Sequence, residues 1–469
     1  MVQKKLVFTG CALLLAALFL GTMIYSPDSG IKLMRPLQKV SLDDECHCVA
    51  SAGAAWVKAG MVATNENMKT LDGVLITPKV RAVDCKLIWT GDKNETQKAI
   101  EVQKSINQTL KTLSQFRNST WDCGRYIQHG GFNLASVSEE ELSFPVAFSL
   151  LVYRDADQVE RFLRAIYRPH NVYCIHVDFK ADNSYRRRIE LMASCLSNVF
   201  VSSVVVDVRW GRFTNLEPEV ICMRQLWKHE VKWKYFINLT GQEFALKTNK
   251  ELVRILKAFQ GANGISGNPT ANVDRWKKYL PAPYNVTIYK GAVHIVASRG
   301  YVDYVLHSKV GQALFNWVKP TGHPDESYFN TLNFNTKLGV PGSTTVNFTK
   351  GSYGNFNRHK IWGDRSKCAG KFVRGICHFG VGDLPRLTSS PQLIANKFSY
   401  DHQPLAYDCL EEWYFHKVQL EEAGTPWPLN DSLYSHSDMV KQIHWAYQDM
   451  AMGQKTHARA RSTLEGAIT

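Results

Sequence analysis

The sequence predicts an α/β fold, a mostly parallel sheet with helices on both of its faces, behind an N-terminal transmembrane anchor. Three observations lead there. An uncharged run from Leu6 to Tyr25 is long enough to cross about 30 Å of hydrocarbon as a helix. From Phe144 onward, apolar strand-like runs alternate with helical spacings. The 469 residues are 45% hydrophobic and 21% charged, enough to bury one large core or two smaller ones.

Residues 1–5, with Lys4 and Lys5, read as a cytoplasmic tail and 6–25 as the anchor; no convincing small-x-small cleavage site precedes Asp28, so the span is expected to stay attached. Residues 26–80 lack sustained periodicity and read as a stem. Residues 81–445 form the body, and 446–469 a polar tail. Asn94, Asn107, Asn118, Asn285, Asn347 and Asn430 each open an N-x-[ST] sequon beyond the span, which favours a lumenal body. Asn238 also matches, but its place in KYFINLTG predicts a buried, unmodified side chain.

Of eleven cysteines, Cys11 lies in the span and ten remain for an oxidising compartment, where disulfides form; composition does not choose their pairing. Cys46 and Cys48 are too isolated for a zinc site. The net charge of +14 suits either a basic glycoprotein surface or an anionic ligand such as a nucleotide diphosphate. A lumenal protein rarely meets nucleic acid, so no nucleic-acid partner is expected.

The body's elements follow in order. FPVAFSLLVY is a continuous apolar run, as in a buried strand; ADQVERFLRAIY sets Val159, Phe162, Leu163 and Ile166 at helical spacing; VYCIHVD returns to strand, completing a βαβ unit. NVFVSSVVVDV reads as strand, EPEVICMRQLWKHEV as helix, KYFINLTG as strand, and KTNKELVRILKAF as helix with Thr248 and Glu251 spaced for a capping box. In such a sheet ligands gather at the strands' carboxyl ends.

YRDADQ stands at the first of those ends. Its Asp155-x-Asp157 pair has the form of a divalent-metal site. Asp155 directly before the helix and Gln158 three residues on also have the spacing of an N-cap and its reciprocal partner, while Asp157 suits the first turn. That local role uses both aspartates, so no metal is expected.

FPVAFSLLVYRDADQVERFLRAIYRPHNVYCIHVD, ASCLSNVFV, ICMRQLW, KYFINLTGQEFALKTN, HPDESYF, VRGICHFGVGDL and ANKF, in this order, resemble the core 2/I-branching β-1,6-N-acetylglucosaminyltransferase family, to which xylosyltransferases are related. The resemblance spans roughly residues 81–412. It implies a GT-A-like, Rossmann-type fold in a single-pass type II Golgi membrane protein, with 81–445 as the lumenal catalytic domain. It implies inverting transfer of GlcNAc from UDP-GlcNAc to the 6-hydroxyl of an O-glycan or glycoprotein acceptor, with no metal cofactor.

The resemblance also assigns roles. Glu326, in GHPDESYF, would be the catalytic base, although Pro324 followed by two acids is equally what a helix start selects. Arg374 and Lys397 would stabilise the departing diphosphate. Val152, Tyr153 and Asp178 would meet the nucleotide, with capping as the alternative for Asp178. Arg275, Trp276 and Trp362 would meet the acceptor, with core packing as the alternative for both tryptophans. Cysteine pairs are implied between Cys85 and Cys409, Cys123 and Cys195, Cys174 and Cys222, and Cys368 and Cys377, leaving Cys46 and Cys48 able to link a homodimer.

Departures from the family's pattern bear on specificity. Tyr153-Arg154 stands where His-His is common, Thr240 where a cysteine is usual, and Asn272 where some members have lysine. GANGISGNPTANVDRW carries no carboxylate matching the family's acceptor-binding glutamate. A different donor, glucose or xylose, and an inactive glycan-binding protein on the same fold remain open alternatives.

Overall fold

A computed structural model describes residues 31–33, 82–105, 122–132, 136–345, 356–363, 367–399 and 401–443. The predicted anchor, Asn107, Asn118, Asn347, Cys46, Cys48 and the tail lie outside the described residues, and no described helix is long and apolar enough to cross a membrane.

The central sheet has five strands: β1 (Val146–Val152), β2 (Val172–Val177), β3 (Val199–Val201), β4 (Tyr235–Thr240) and β5 (Val296–Ser298), in the order β3-β2-β1-β4-β5. The first four run parallel and β5 is antiparallel at the edge. β1 and β2 are buried along nearly their whole length, which is why their sequences are continuous apolar runs. Side chains still alternate between faces. Val146, Phe148, Leu150 and Val152 enter one core with α1 (Ala156–Ile166), α2 (Asn183–Ser194), α4 (Asn249–Ala258) and α5 (Pro404–Glu422). Ala147, Cys174 and Phe236 enter a second core with α3 (Glu217–Lys228) and the segment from Val286 to Val340. Helices cover both faces, as predicted.

The Thr248–Glu251 capping box at α4 is present in both directions. The expected cap at α1 is not. Asp155 sits at the N-cap position with φ 57°, makes no side-chain capping bond, and instead pairs with Arg154 at 3.1 Å. A left-handed backbone there turns the carboxylate away from the first-turn N–H groups. Asp157 is taken by Arg188, and the Gln158 amide is buried without a side-chain partner among the described residues.

NVFVSSVVVDV is likewise not one strand. Ser202 Oγ donates to the Val204 carbonyl at 2.9 Å, a local turn that splits it. Val204–Val206 then pairs antiparallel with Ile31–Leu33, so three residues of the predicted stem lie against the body.

Beyond β4 the chain turns sharply at Gly241, where a Cβ would come within 2.9 Å of Val159 Cγ2. Only glycine lets the strand end approach α1 this closely. The turn starts a second, three-stranded sheet in which Ile394–Asn396 lies between Glu243–Ala245 and Arg358–His359. This sheet carries the C-terminal third of the body to the carboxyl edge of the first.

All four disulfides implied by the resemblance are formed. Cys85–Cys409 joins the helix Cys85–Thr90 to α5 across 324 residues of sequence. Beside it, Arg161 of α1 donates to Glu411 at 2.6 and 2.9 Å, contacts Asp408 at 2.6 Å and lies over the Tyr407 ring. A bond that closes so long a loop restricts the unfolded chain strongly. The Cys85→Ala/Cys409→Ala double variant is expected to lose about 2–5 kcal/mol of stability, read as a lowered midpoint in denaturant unfolding.

Candidate active site

The first group of candidate residues is built where strands stop. Val152 closes β1; its side chain is buried, and its carbonyl accepts from the Asp178 N–H at 3.0 Å, so it can offer a ligand only backbone. Tyr153 follows with half its surface exposed, and Arg154 lies against its ring. The Asp178 carboxylate accepts from its own turn, at Lys180 N (2.9 Å), and from Lys180 Nζ (3.0 Å), which also reaches Asp207 at 2.8 Å. Both readings of Asp178 thus stay open, a turn-capping carboxylate that still stands at a strand end.

Arg374 sits at the tip of a hairpin between Lys371–Val373 and Ile376–His378. Arg374 and Gly375 have φ of 51° and 83°, the pair of positive angles that a two-residue hairpin turn needs. Cys368–Cys377 staples this hairpin, and Trp362, 60% exposed, bridges to Ile376 beside it. Lys397 follows the strand Ile394–Asn396, with Nζ 3.3 Å from Gln242 Oε1.

Burial pushes the Lys397 ammonium below its ordinary value, and the positive charges of Arg154 and Arg374 add to the effect. His378 is driven down to about 4, first by burial and then by Lys397, Lys371 and Arg154. Arg154, Arg374 and Lys397 therefore form one electropositive cluster on three separate elements. Sequence reasoning singled out two of the three and took Arg154 only as a departure.

The second group centres on Glu326, in the short 3₁₀ turn Pro324–Glu326. His323 enters it with φ 50°, its N–H held by the Gly211 carbonyl at 3.0 Å and its ring edge-on to the exposed Trp210. Arg275 Nη1 donates to Glu326 Oε2 at 2.5 Å, and Lys290 Nζ stands 3.7 Å from the same oxygen. The Glu326 side chain is a quarter exposed, open to a substrate. Neighbouring Asp325 turns inward, accepts from Asn215 Nδ2 at 2.5 Å and is pushed up to about 6 by burial and by Glu326. Trp276 differs from the acceptor role expected of it. It packs in the second core, 3% exposed, where no sugar face can reach its ring.

Between the two groups lies a buried polar cluster that the sequence did not single out. Glu243 accepts from Arg358 Nε at 2.8 Å and Asn396 Nδ2 at 2.7 Å, and lies 3.1 Å from His294 Nε2. Burial alone would raise its carboxyl, but Arg358 and His294 overcome that and hold it well below the carboxylate range. His294 Nδ1 is 3.1 Å from Lys360 Nζ.

The family model described as Core-2/I-Branching enzyme matches residues 146–388, a span that includes β1, Glu326 and Arg374. This chain belongs to that family. The human β-1,3-galactosyl-O-glycosyl-glycoprotein β-1,6-N-acetylglucosaminyltransferase is 35% identical over 369 residues, covering 72% of this chain and 86% of the relative. The human N-acetyllactosaminide β-1,6-N-acetylglucosaminyl-transferase is 33% identical over 395 residues, 78% and 93% of the two chains. Its mouse counterpart is 36% identical over 313 residues, 62% and 77%. Within the Core-2/I-branching fold the described sequons Asn94, Asn285 and Asn430 are exposed, whereas Asn238 is buried, donating to the Val293 carbonyl at 2.8 Å.

A charge pair 4 Å apart at an effective dielectric near 20 is worth about 4 kcal/mol before desolvation is subtracted. Arg154→Ala and Arg374→Ala are each expected to weaken UDP binding about tenfold, measured by calorimetry at fixed salt.

Proposed function

We propose that this chain is an inverting, metal-independent glycosyltransferase that moves GlcNAc from UDP-GlcNAc to the 6-hydroxyl of an O-glycan, acting in the Golgi lumen as a single-pass type II membrane protein whose residues 81–445 form the catalytic domain. The observation that carries this reading is the charge layout of the cleft: an exposed carboxylate held by Arg275 at one end, and three cations from separate elements at the other. Family membership and the names of the relatives support the sugar and the linkage.

The acceptor's 6-hydroxyl oxygen attacks the anomeric carbon on the face opposite the nucleotide. Glu326 takes its proton, the new O–C bond forms, and the bond from the anomeric carbon to the diphosphate oxygen breaks, with its electron pair leaving on UDP. Arg154, Arg374 and Lys397 face that growing negative charge, and a preorganised cation cluster stabilises it without rearranging during the step. Asp178 and Tyr153 would meet uracil or ribose, and the exposed ring of Trp362 would stack on a sugar. Asp155 and Asp157 are each engaged by an arginine, which favours phosphate neutralisation by side chains over a metal held by this pair.

Glu326→Gln is expected to lower kcat by about 10²–10⁴ while leaving UDP affinity near normal. Full turnover by that variant would remove Glu326 from the mechanism. Transfer should continue in EDTA; loss on chelation with recovery in manganese would show that a metal, and not the cation cluster, carries the leaving-group charge. UDP-GlcNAc, UDP-glucose and UDP-xylose offered side by side to a mucin-type disaccharide and a peptide test the donor directly, with UDP-GlcNAc on the disaccharide expected to dominate.

A further inference from the structure

Glu326 sits among more positive charge than its own carboxylate balances. Arg275 lies 2.5 Å from Oε2 and Lys290 3.7 Å from the same oxygen. Lys360 lies beside His294, and its ammonium is lowered to about 8, first by burial and then by Arg358, with Glu243 and Glu326 opposing and Lys290 adding to the shift. Three carboxyl groups stand among these cations. Glu243 is matched by Arg358 and Glu326 by Arg275, while Asp325 faces the neutral Asn215 and, raised only to about 6 by burial and by Glu326, still carries most of its charge at neutral pH. Against it stand Lys290 and Lys360, which leaves one positive charge in surplus.

Neither lysine is a loose surface group. Lys290 is fixed through its backbone, which exchanges hydrogen bonds of 2.6 and 2.9 Å with Asn268, while the next N–H, of Gly291, donates to the Glu326 carbonyl at 2.7 Å. Its side chain is 29% exposed. Asn268 belongs to the loop GANGISGNPTANVDRW, the one that carries no acceptor-binding carboxylate. Lys360 reaches the same region two residues after Arg358, with its ammonium against His294 Nδ1. His294 is held neutral, its pKa lowered to about 3 by burial and by Lys360 and Arg358, so it contributes no negative charge and only a lone pair. Cations crowded at one place repel each other, and an anion of the substrate relieves that repulsion.

Resting on the transferase function proposed above, we propose that the acceptor is an acidic glycan, whose carboxylate or sulfate is bound by Lys290 and Lys360 while its 6-hydroxyl faces Glu326. A neutral sugar would leave the surplus unanswered.

The full chain is assayed for transfer from UDP-GlcNAc to a neutral mucin-type disaccharide, its sialylated form and its sulfated form, and binding of the same three sugars is measured by calorimetry with UDP present. One acidic form is expected to exceed the neutral one about tenfold in kcat/KM and in affinity, and the arm that wins identifies the anion. The preference should shrink at high salt, and in Lys290→Gln and in Lys290→Gln/Lys360→Met the ratio should fall toward one, with unchanged UDP affinity showing that the variants are folded. Equal or better use of the neutral sugar by the unaltered protein overturns the proposal, as does a preference that both variants retain. Tighter binding of an acidic sugar without transfer to any of them keeps this proposal and defeats the transferase reading; equal binding of all three defeats this proposal even where transfer is intact.

Discussion

One buried carboxylate, Glu243, is the constraint on which both ends of the cleft depend. It stands where the chain leaves the central sheet, and its Oε2 accepts from the N–H of Thr240, the last residue of β4, at 3.0 Å. Arg358 and Asn396, from the two other strands of the second sheet, close on it, and His294 approaches from the segment leading into β5. An ion taken out of water costs several kcal/mol unless it is fully paired. The arrangement therefore holds only with all of these partners in place. Lys397 is the residue after Asn396, Lys360 lies two residues after Arg358 and touches His294, and through them the phosphate cluster and the surroundings of Glu326 are set from one point.

A second buried carboxyl, Glu219, shows how local that control is. It accepts from Ser149 Oγ at 2.6 Å and from Asn238 Nδ2 at 3.3 Å, both in the central sheet. Burial pushes it up to about 8, against the smaller opposing effects of Ser149, Asn238 and Arg358, while Glu243 pushes it further up. Two acids thus lie within reach of one guanidinium. The acid that Arg358 contacts directly is held low, and the one reached through neutral donors is pushed up by burial.

The sheet was legible because buried parallel strands have nowhere to place polar residues, so β1, β2 and β4 stand out as apolar runs in any reading of the chain. The α4 capping box was legible because it lies within four residues. Asp155 had the same spacing and failed, since its backbone enters the left-handed region, which a spacing rule does not see. α5 drew no helix assignment at all: PLAYDCLEEWYFHKVQLEE is buried on most sides, so its apolar residues follow no single stripe. At the candidate site, motif resemblance singled out residues one at a time, including Glu326, Arg374 and Lys397. It could not find Glu243, Arg358, His294 and Lys360, whose significance lies in meeting from three distant segments. Trp276 stayed open between acceptor and core for the converse reason, because a tryptophan next to an arginine looks the same in sequence whether its ring faces solvent or core; its ring packs in the core.

The two ends of the cleft differ in how their charges are held, and the difference follows from what each must do. At one end the cations sit on a strand end, a hairpin tip and a second-sheet terminus; Arg154 pairs with Asp155 at 3.1 Å, and among the described residues no carboxylate contacts Arg374 or Lys397. The Lys397 ammonium is lowered first by burial, with the positive charges of Arg154 and Arg374 adding to it and Glu243 opposing. Such a site gains most from a ligand that brings concentrated negative charge, and gains still more as that charge grows on the leaving oxygen. At the other end the cations outnumber the carboxylates by one, and Glu326 is braced by Arg275 instead of standing free. A brace keeps the carboxylate oriented while leaving its second oxygen free of that arginine. One end thus gathers cations with a single carboxylate partner, at Arg154, and the other holds an acid against a cation; under the function proposed above, the first would take the departing charge and the second the acceptor's proton.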